Sequence, residues 1–371
     1  MWIGQRVALL LAICWPILLL KGQSANFPSL ASEAAAARDA NRLDDAAALY
    51  RKALNLNPNW TEGWWSLGTI DYDRDAYGDA ASEFQKLAAL DPKAGSARIM
   101  LGLSEFELGQ DDSALQHIQQ GERIGVADNQ QLRNVALFHE GVLLQRARKF
   151  EGAQEALDSL CLAGVHSPEL DTTLGMVALR MPDRIAPAQG AAAEIVPRIG
   201  RAECLAGQKK LDEARREYSA VVHNYPLFPN IHYAYGRFLL DARDTQAGIA
   251  QLEQEIKNQP GDSMARLQIA AAKYKIDSAA GLPYAEAAVK LDPSLPFGHY
   301  LLGLLLLDSD NYQRAISELE IAQKYMAEVP GVYSALGSAY ARAGRDEDAA
   351  HARAEFLHWN RESANSAAPR P

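Results

Sequence analysis

The sequence predicts an all-α protein made by stacking about ten copies of one two-helix hairpin. Three observations carry this reading. A block of aromatic and small residues recurs with a spacing of 34. Gly or Ala stands at the eighth position of every copy. Proline closes five of the copies at the point where the second helix of a hairpin has to stop.

The recurrence is read first, because a period of this length decides the architecture. Trp64-Trp65-Ser66-Leu67-Gly68, followed by Ala80, Phe84, Leu87 and Pro92, returns as His232, Tyr235-Gly236, Gly248, Leu252 and Pro260. It returns again as His299, Leu302-Gly303, Ala315, Leu319 and Ala322, and as Tyr333, Leu336-Gly337, Ala349, Arg353 and Phe356. From His299 to Tyr333 and from Leu302 to Leu336 the shift is 34 residues. At this period the copies begin at Phe27, Thr61, Gly95, Asn134, Pro168, Ile195, Pro229, Ser263, Pro296 and Pro330.

The residue types follow from the packing of two antiparallel helices, A and B. Small side chains at positions 8 and 20 let the helices cross closely. Larger side chains at positions 4, 7, 11 and 24 fill the seam at helical spacing. Pro58, Pro92, Pro226, Pro260 and Pro293 end helix B, because proline lacks the N–H and clashes with the preceding turn. Turns such as Leu108-Gly109-Gln110-Asp111 and Ala343-Gly344-Arg345-Asp346 separate A from B. One hairpin cannot bury its own apolar face, so each copy uses its neighbours as core.

This pattern resembles the tetratricopeptide repeat (TPR) family over nearly all of residues 27–361. The resemblance implies a right-handed α-solenoid of about ten TPR-like helical hairpins. It also implies that ligands lie along a concave face lined by helix A. Carried onto this chain, that face places Trp65, Phe138, Tyr233 and Tyr300 at position 5 and Tyr72, Phe106 and Tyr274 at position 12. Arg237 and Lys275 fall on the same wall, where they would meet a partner carboxylate. The Lys/Asn clamp with which some members hold a C-terminal carboxylate is missing, since the matching positions are Ala31 and Ala35. The aromatic columns read either as anchors for a partner or as packing between neighbouring helices.

Two places break the pattern. Where helix B of the fifth copy should run, the chain reads Pro182-Asp183-Arg184-Ile185-Ala186-Pro187-Ala188-Gln189-Gly190. Two prolines and a glycine do not allow a full helix there. Residues 181–194 are therefore either a tolerated deletion or a bend that separates 27–180 from 195–363. Five extra residues sit before the fourth copy, at Asp128 to Arg133. The last helix, from Asp346 to Trp359, has the polar face of an array cap, and residues 364–371 read as a disordered tail.

Residues 1–25 read as an export signal. Arg6 is followed by an apolar run from Val7 to Leu20 and then by the small-residue stretch Gly22-Gln23-Ser24-Ala25. The run is shorter than the about 20 residues a membrane span needs; left uncleaved, it would act as an anchor. The expected location is periplasmic or secreted, with any membrane contact confined to residues 7–20. Cys161 and Cys204 are the cysteines beyond this segment. They are too few for a disulfide-built domain and read as two buried thiols.

The charge balance is acidic, −10 overall, which argues against wholesale binding to nucleic acid or to anionic membrane. The chain carries no glycine-rich phosphate loop, no nucleophile elbow and no Cys-x-x-Cys. His139-Glu140 lacks the second His of a zinc-protease helix, and His351 and His358 lack a third ligand. The reading is a non-catalytic scaffold or adaptor for a protein or peptide, with no cofactor and no metal. A solenoid that stacks its aromatics on a small ligand or glycan is the alternative, and a membrane-anchored assembly factor is a third.

Overall fold

The computed structural model describes residues 26–126, 129–182, 189–274 and 276–367. Among these the chain forms nineteen helices and no strand. It divides into two compact bodies, Met1–Leu132 and Arg133–Pro371. The division falls at the five-residue insertion before the fourth copy.

The N-terminal body holds three hairpins: α1 (Phe27–Asp39) with α2 (Leu43–Leu56), α3 (Thr61–Asp73) with α4 (Tyr77–Leu90), and α5 (Gly95–Glu107) with α6 (Asp111–Ile124). The C-terminal body starts inside α7 (Gln130–Arg146) and goes on with α8 (Phe150–Leu162), α9 (Pro168–Ala178), α10 (Gly190–Gly207) and α11 (Leu211–Asn224). Four regular hairpins complete it: α12 (Ile231–Asp241) with α13 (Thr245–Asn258), α14 (Ser263–Tyr274) with α15 (Ser278–Leu291), α16 (Pro296–Asp308) with α17 (Tyr312–Tyr325), and α18 (Pro330–Arg342) with α19 (Asp346–Ala367). Helix α19 runs on through the first residues assigned to a tail. Nothing in 364–367 breaks a helix, and the prolines come later.

The seam inside each hairpin is built as the pattern requires. A methyl group at Gly68 would lie 2.9 Å from the ring of Phe84, at Gly141 2.5 Å from Leu157, and at Gly303 2.5 Å from Leu319. Each partner stands at position 24, so the small residue of helix A receives the large residue of helix B. The alanines at position 20, from Ala46 to Ala349, are fully buried. Helices α2, α4, α11, α13 and α15 each end two residues before their proline, whose preceding residue is forced out of helical backbone. The turns between A and B share a left-handed residue, glycine at Gly109 and Gly344 but Asn41, Asp75, Arg148, Lys209, Arg243 and Asp310 elsewhere.

The fifth copy is where the architecture departs from the period. It makes helix A, α9, and the left-handed turn residue Arg180. No helix B follows among the described residues; α10 takes its place. The backbone oxygen of Asp171 sits where a methyl on Gly200 would be, and that of Val196 where a methyl on Gly175 would be. Contacts that rise along one helix as they fall along the other make α9 and α10 antiparallel. Helix α10 therefore closes the fifth hairpin and, with α11, opens the sixth. The C-terminal body is left with an odd number of helices, thirteen among the described residues.

Removing one helix brings α10 against α8. Cys161 of α8 and Cys204 of α10 form a disulfide, with their Cα atoms 5.3 Å apart. This corrects the expectation of two separate thiols. In a regular array these positions belong to copies that do not touch, and only the missing helix lets them meet.

Candidate functional site

In the N-terminal body, Trp65, Tyr72 and Phe106 lie half-buried on helices α3 and α5. The ring of Trp65 packs edge-on against Phe84 at 5.6 Å, and that of Tyr72 against Tyr77 at 5.3 Å. Trp65 and Tyr72 are thus partly spent on packing within their hairpin.

In the C-terminal body the expected residues part company. Phe138 lies half-buried on α7, its ring edge-on to His139 at 5.6 Å. Tyr233 is not on a free surface. Only 2% of it is exposed, and it packs with Leu252, Ala265 and Ile269. Arg180 lies over its ring at 5.6 Å. Arg237 is not free to meet a partner carboxylate: its Nη2 donates to both oxygens of Glu203, at 3.2 and 3.3 Å. Burial works against its charge, but Glu203 beside it outweighs that and holds it protonated. Lys275 lies outside the described residues, as do residues 1–25 and most of the proline segment.

Tyr274 and Tyr300 do come together. With Leu240, Ala271, Leu301 and Leu304 they line a groove of about 590 Å³ between the A helices α12, α14 and α16. The 34-residue period places equivalent positions of successive A helices side by side, and here those positions are apolar or aromatic. Burial raises the phenol pKa of Tyr300, with Tyr274 adding to it, and burial raises that of Tyr274, with Asp308 adding to it. Both rings are thus partly desolvated while still facing the groove. At the rim, Phe297 is 47% and Ile276 69% exposed. Large apolar side chains left this open beside a groove are unusual unless something covers them. Asp241, Arg243, Thr245 and Gln268 add a polar edge. The period assigned Tyr274 and Tyr300; Phe297, at the second position of its copy, shares that inner wall but was not singled out, and Ile276 falls one residue past the last inner position.

A tetratricopeptide repeat model matches residues 32–92, 66–125, 200–263 and 300–355, which together make up more than half of the chain. The chain belongs to the tetratricopeptide repeat family. The matches skip 126–199, which holds the insertion and the incomplete hairpin of this tetratricopeptide array. No curated protein matches the chain in sequence. Among solved structures it is similar to MamA 41-end from Desulfovibrio magneticus RS-1, 22% identical, over 47% of this chain and 98% of that one, with a TM-score of 0.43. The APC/C hetero-tetramer Cut9-Hcn1 is 12% identical over 92% of this chain and 88% of that one, with a TM-score of 0.40. The TPR domain of P58(IPK) is 12% identical over 86% of this chain and 99% of that one, with a TM-score of 0.30. Likeness at this level brings no partner with it.

Among the described residues, no group of three or more His, Cys, Asp or Glu is placed to hold a metal. No described helix is long and apolar enough to cross a membrane, and Val7 to Leu20 lies outside that statement.

Proposed function

We propose that this protein is a non-catalytic scaffold or adaptor that holds a segment of a partner protein in the groove between α12, α14 and α16. The groove itself carries the reading. Tyr274 and Tyr300 form its floor with Leu301 and Leu304, and Phe297 and Ile276 stand exposed at its edge. Aromatic side chains in a partly desolvated pocket with a polar rim are the setting in which a few residues dominate binding energy. Stacked A helices supply a continuous wall for an extended or helical segment. The mixed aliphatic and aromatic lining favours a peptide over a sugar, which would need more hydrogen-bonding groups than Thr245, Gln268, Asp241 and Arg243 provide.

The Cys161–Cys204 disulfide supports an oxidising compartment, in keeping with export by residues 1–25. Mass spectrometry of the protein recovered from its native host tests that part: a mature form beginning at Ala25 or Asn26 is expected, and a membrane-bound form beginning at Met1 favours an anchored assembly factor.

Binding is tested by recovering the protein with its ligand and weighing the complex intact. A peptide or protein that Phe297→Ala and Tyr300→Ala each release is the expected result, while both variants keep wild-type helicity. A bound sugar or other small molecule favours the alternative reading.

A further inference from the structure

Where α10 serves both the fifth and the sixth hairpin, α8, α10 and α12 approach one another, and the seam between them is polar. Glu203 of α10 is 6% exposed and sits at its centre. It accepts from Nη2 of Arg237 on α12, from the hydroxyl of Tyr218 on α11, and from Nε2 of Gln154 on α8 at 3.1 Å. The same Gln154 nitrogen donates to Oδ1 of Asp158, one turn further along α8, at 2.8 Å. The amide thus ties two carboxylates together. The groups that act on Asp158 are Glu203, Gln154, Arg237 and Asp241 of α12. Helix α9 adds no cation: its acids Glu169 and Asp171 lie in its first turn, and Asp171 pairs with Arg201 at 3.7 Å.

The charge count of this seam depends on one proton. With Asp158 neutral, the Glu203 carboxylate faces the Arg237 guanidinium and the pair balances. With Asp158 ionised, two carboxylates joined by one amide compete for the Arg237 guanidinium; Asp241 of α12 is present in both states and has Lys209 and Arg243 as cations beside it. Unpaired charge at low exposure is costly, and like charges at this distance repel.

We propose that the Asp158–Gln154–Glu203–Arg237 cluster is a proton-operated latch, which holds α12 against the disulfide-linked pair α8 and α10 when Asp158 is neutral and loosens this junction when it ionises. The latch belongs to the junction of the incomplete hairpin and is independent of what binds in the groove. Burial first, and Glu203 second, push the Asp158 carboxyl up to about 7. The proton is therefore exchanged close to neutral pH. The sign follows from linkage. A carboxyl raised in the folded state binds its proton more tightly there than in the unfolded chain. Its stabilisation is complete at low pH and is lost as pH rises from the ordinary aspartate value through about 7.

Hydrogen exchange of the full chain, read by peptide mass spectrometry at about pH 5.5 and about pH 8.5 and corrected for intrinsic exchange, tests this. Peptides from α8, α10 and α12 should open about tenfold more often at the higher pH, and Asp158→Asn, which fixes the neutral form, should abolish that increase. A carboxyl-carbon titration by NMR on the wild-type chain gives a second reading and should show Asp158 protonating near neutrality. Opening that does not change with pH, or a pH effect that survives in Asp158→Asn, overturns the latch.

Discussion

Tyr233 and Tyr300 occupy the same position of the repeat and have different tasks. Tyr233 is sealed by Leu252, Ala265 and Ile269, whereas Tyr300 keeps part of its ring toward the groove. The period placed both on the inner wall; it could not show that Arg180 and the neighbouring α14 side chains cover one of them. Tyr233→Ala should therefore cost about 3–5 kcal/mol of stability, measured by denaturant unfolding. Tyr300→Ala, which removes a half-buried ring, should cost clearly less, about 1 kcal/mol. Equal losses in both variants would place Tyr300 in the core.

Glu83 makes a second residue-scale case, in the N-terminal body. It is 6% exposed and lies beside Asp71, which is 1% exposed and already paired with Arg51 at 2.5 Å. Burial first, and Asp71 second, raise its pKa to about 8. A raised carboxyl stabilises the fold at low pH, and this contribution is lost as pH rises from the ordinary glutamate value to about 8. Glu83→Gln should melt like the wild type near pH 5 and higher than it above pH 8. Parallel melting curves for the two proteins across that range would show that Glu83 is ionised throughout.

Among the elements, the regular hairpins were legible from small residues alone, because position 8 must admit position 24. The pairing of α9 with α10 was not. Its signal is another pair of glycines, Gly175 and Gly200, but the second stands outside the period, and only the fold shows that the two face each other. A methyl at Gly200 would lie 1.6 Å from the backbone oxygen of Asp171. Gly200→Ala should cost about 1–3 kcal/mol or more, read by urea unfolding, since the obstacle is backbone and cannot swing away. Gly78→Ala, in the exposed first turn of α4 with open space around it, should instead gain about 0.4–1 kcal/mol. Equal effects would mean that α9 and α10 do not cross at those glycines.

The disulfide was hidden for the same reason. Cysteine spacing is read against the repeat, and the repeat fails between Cys161 and Cys204. The bond encloses 43 residues of chain, α9 among them. Replacing both cysteines by alanine should lower stability by about 4 kcal/mol on the chain-entropy estimate, as read by unfolding under non-reducing conditions. A variant as stable as the wild type would mean that the bond adds nothing to the junction.

The whole molecule is two arrays of one family, and proteolysis distinguishes their boundary from the irregular hairpin. A cut within 127–132 should release two folded pieces that separate on a non-reducing gel. A cut within 183–188 lies inside the disulfide loop, so its products should stay joined until a reductant is added.

The central claim is that the α12–α14–α16 groove seats a partner segment. A photo-reactive side chain introduced in place of Tyr300, with a second variant carrying it in place of exposed Glu328, tests that most directly. Irradiation in the native host should join a protein to position 300 and not to position 328, and Phe297→Ala in the same chain should abolish the product. Labelling that is equal at the two positions, or that survives Phe297→Ala, would contradict the groove as the binding site.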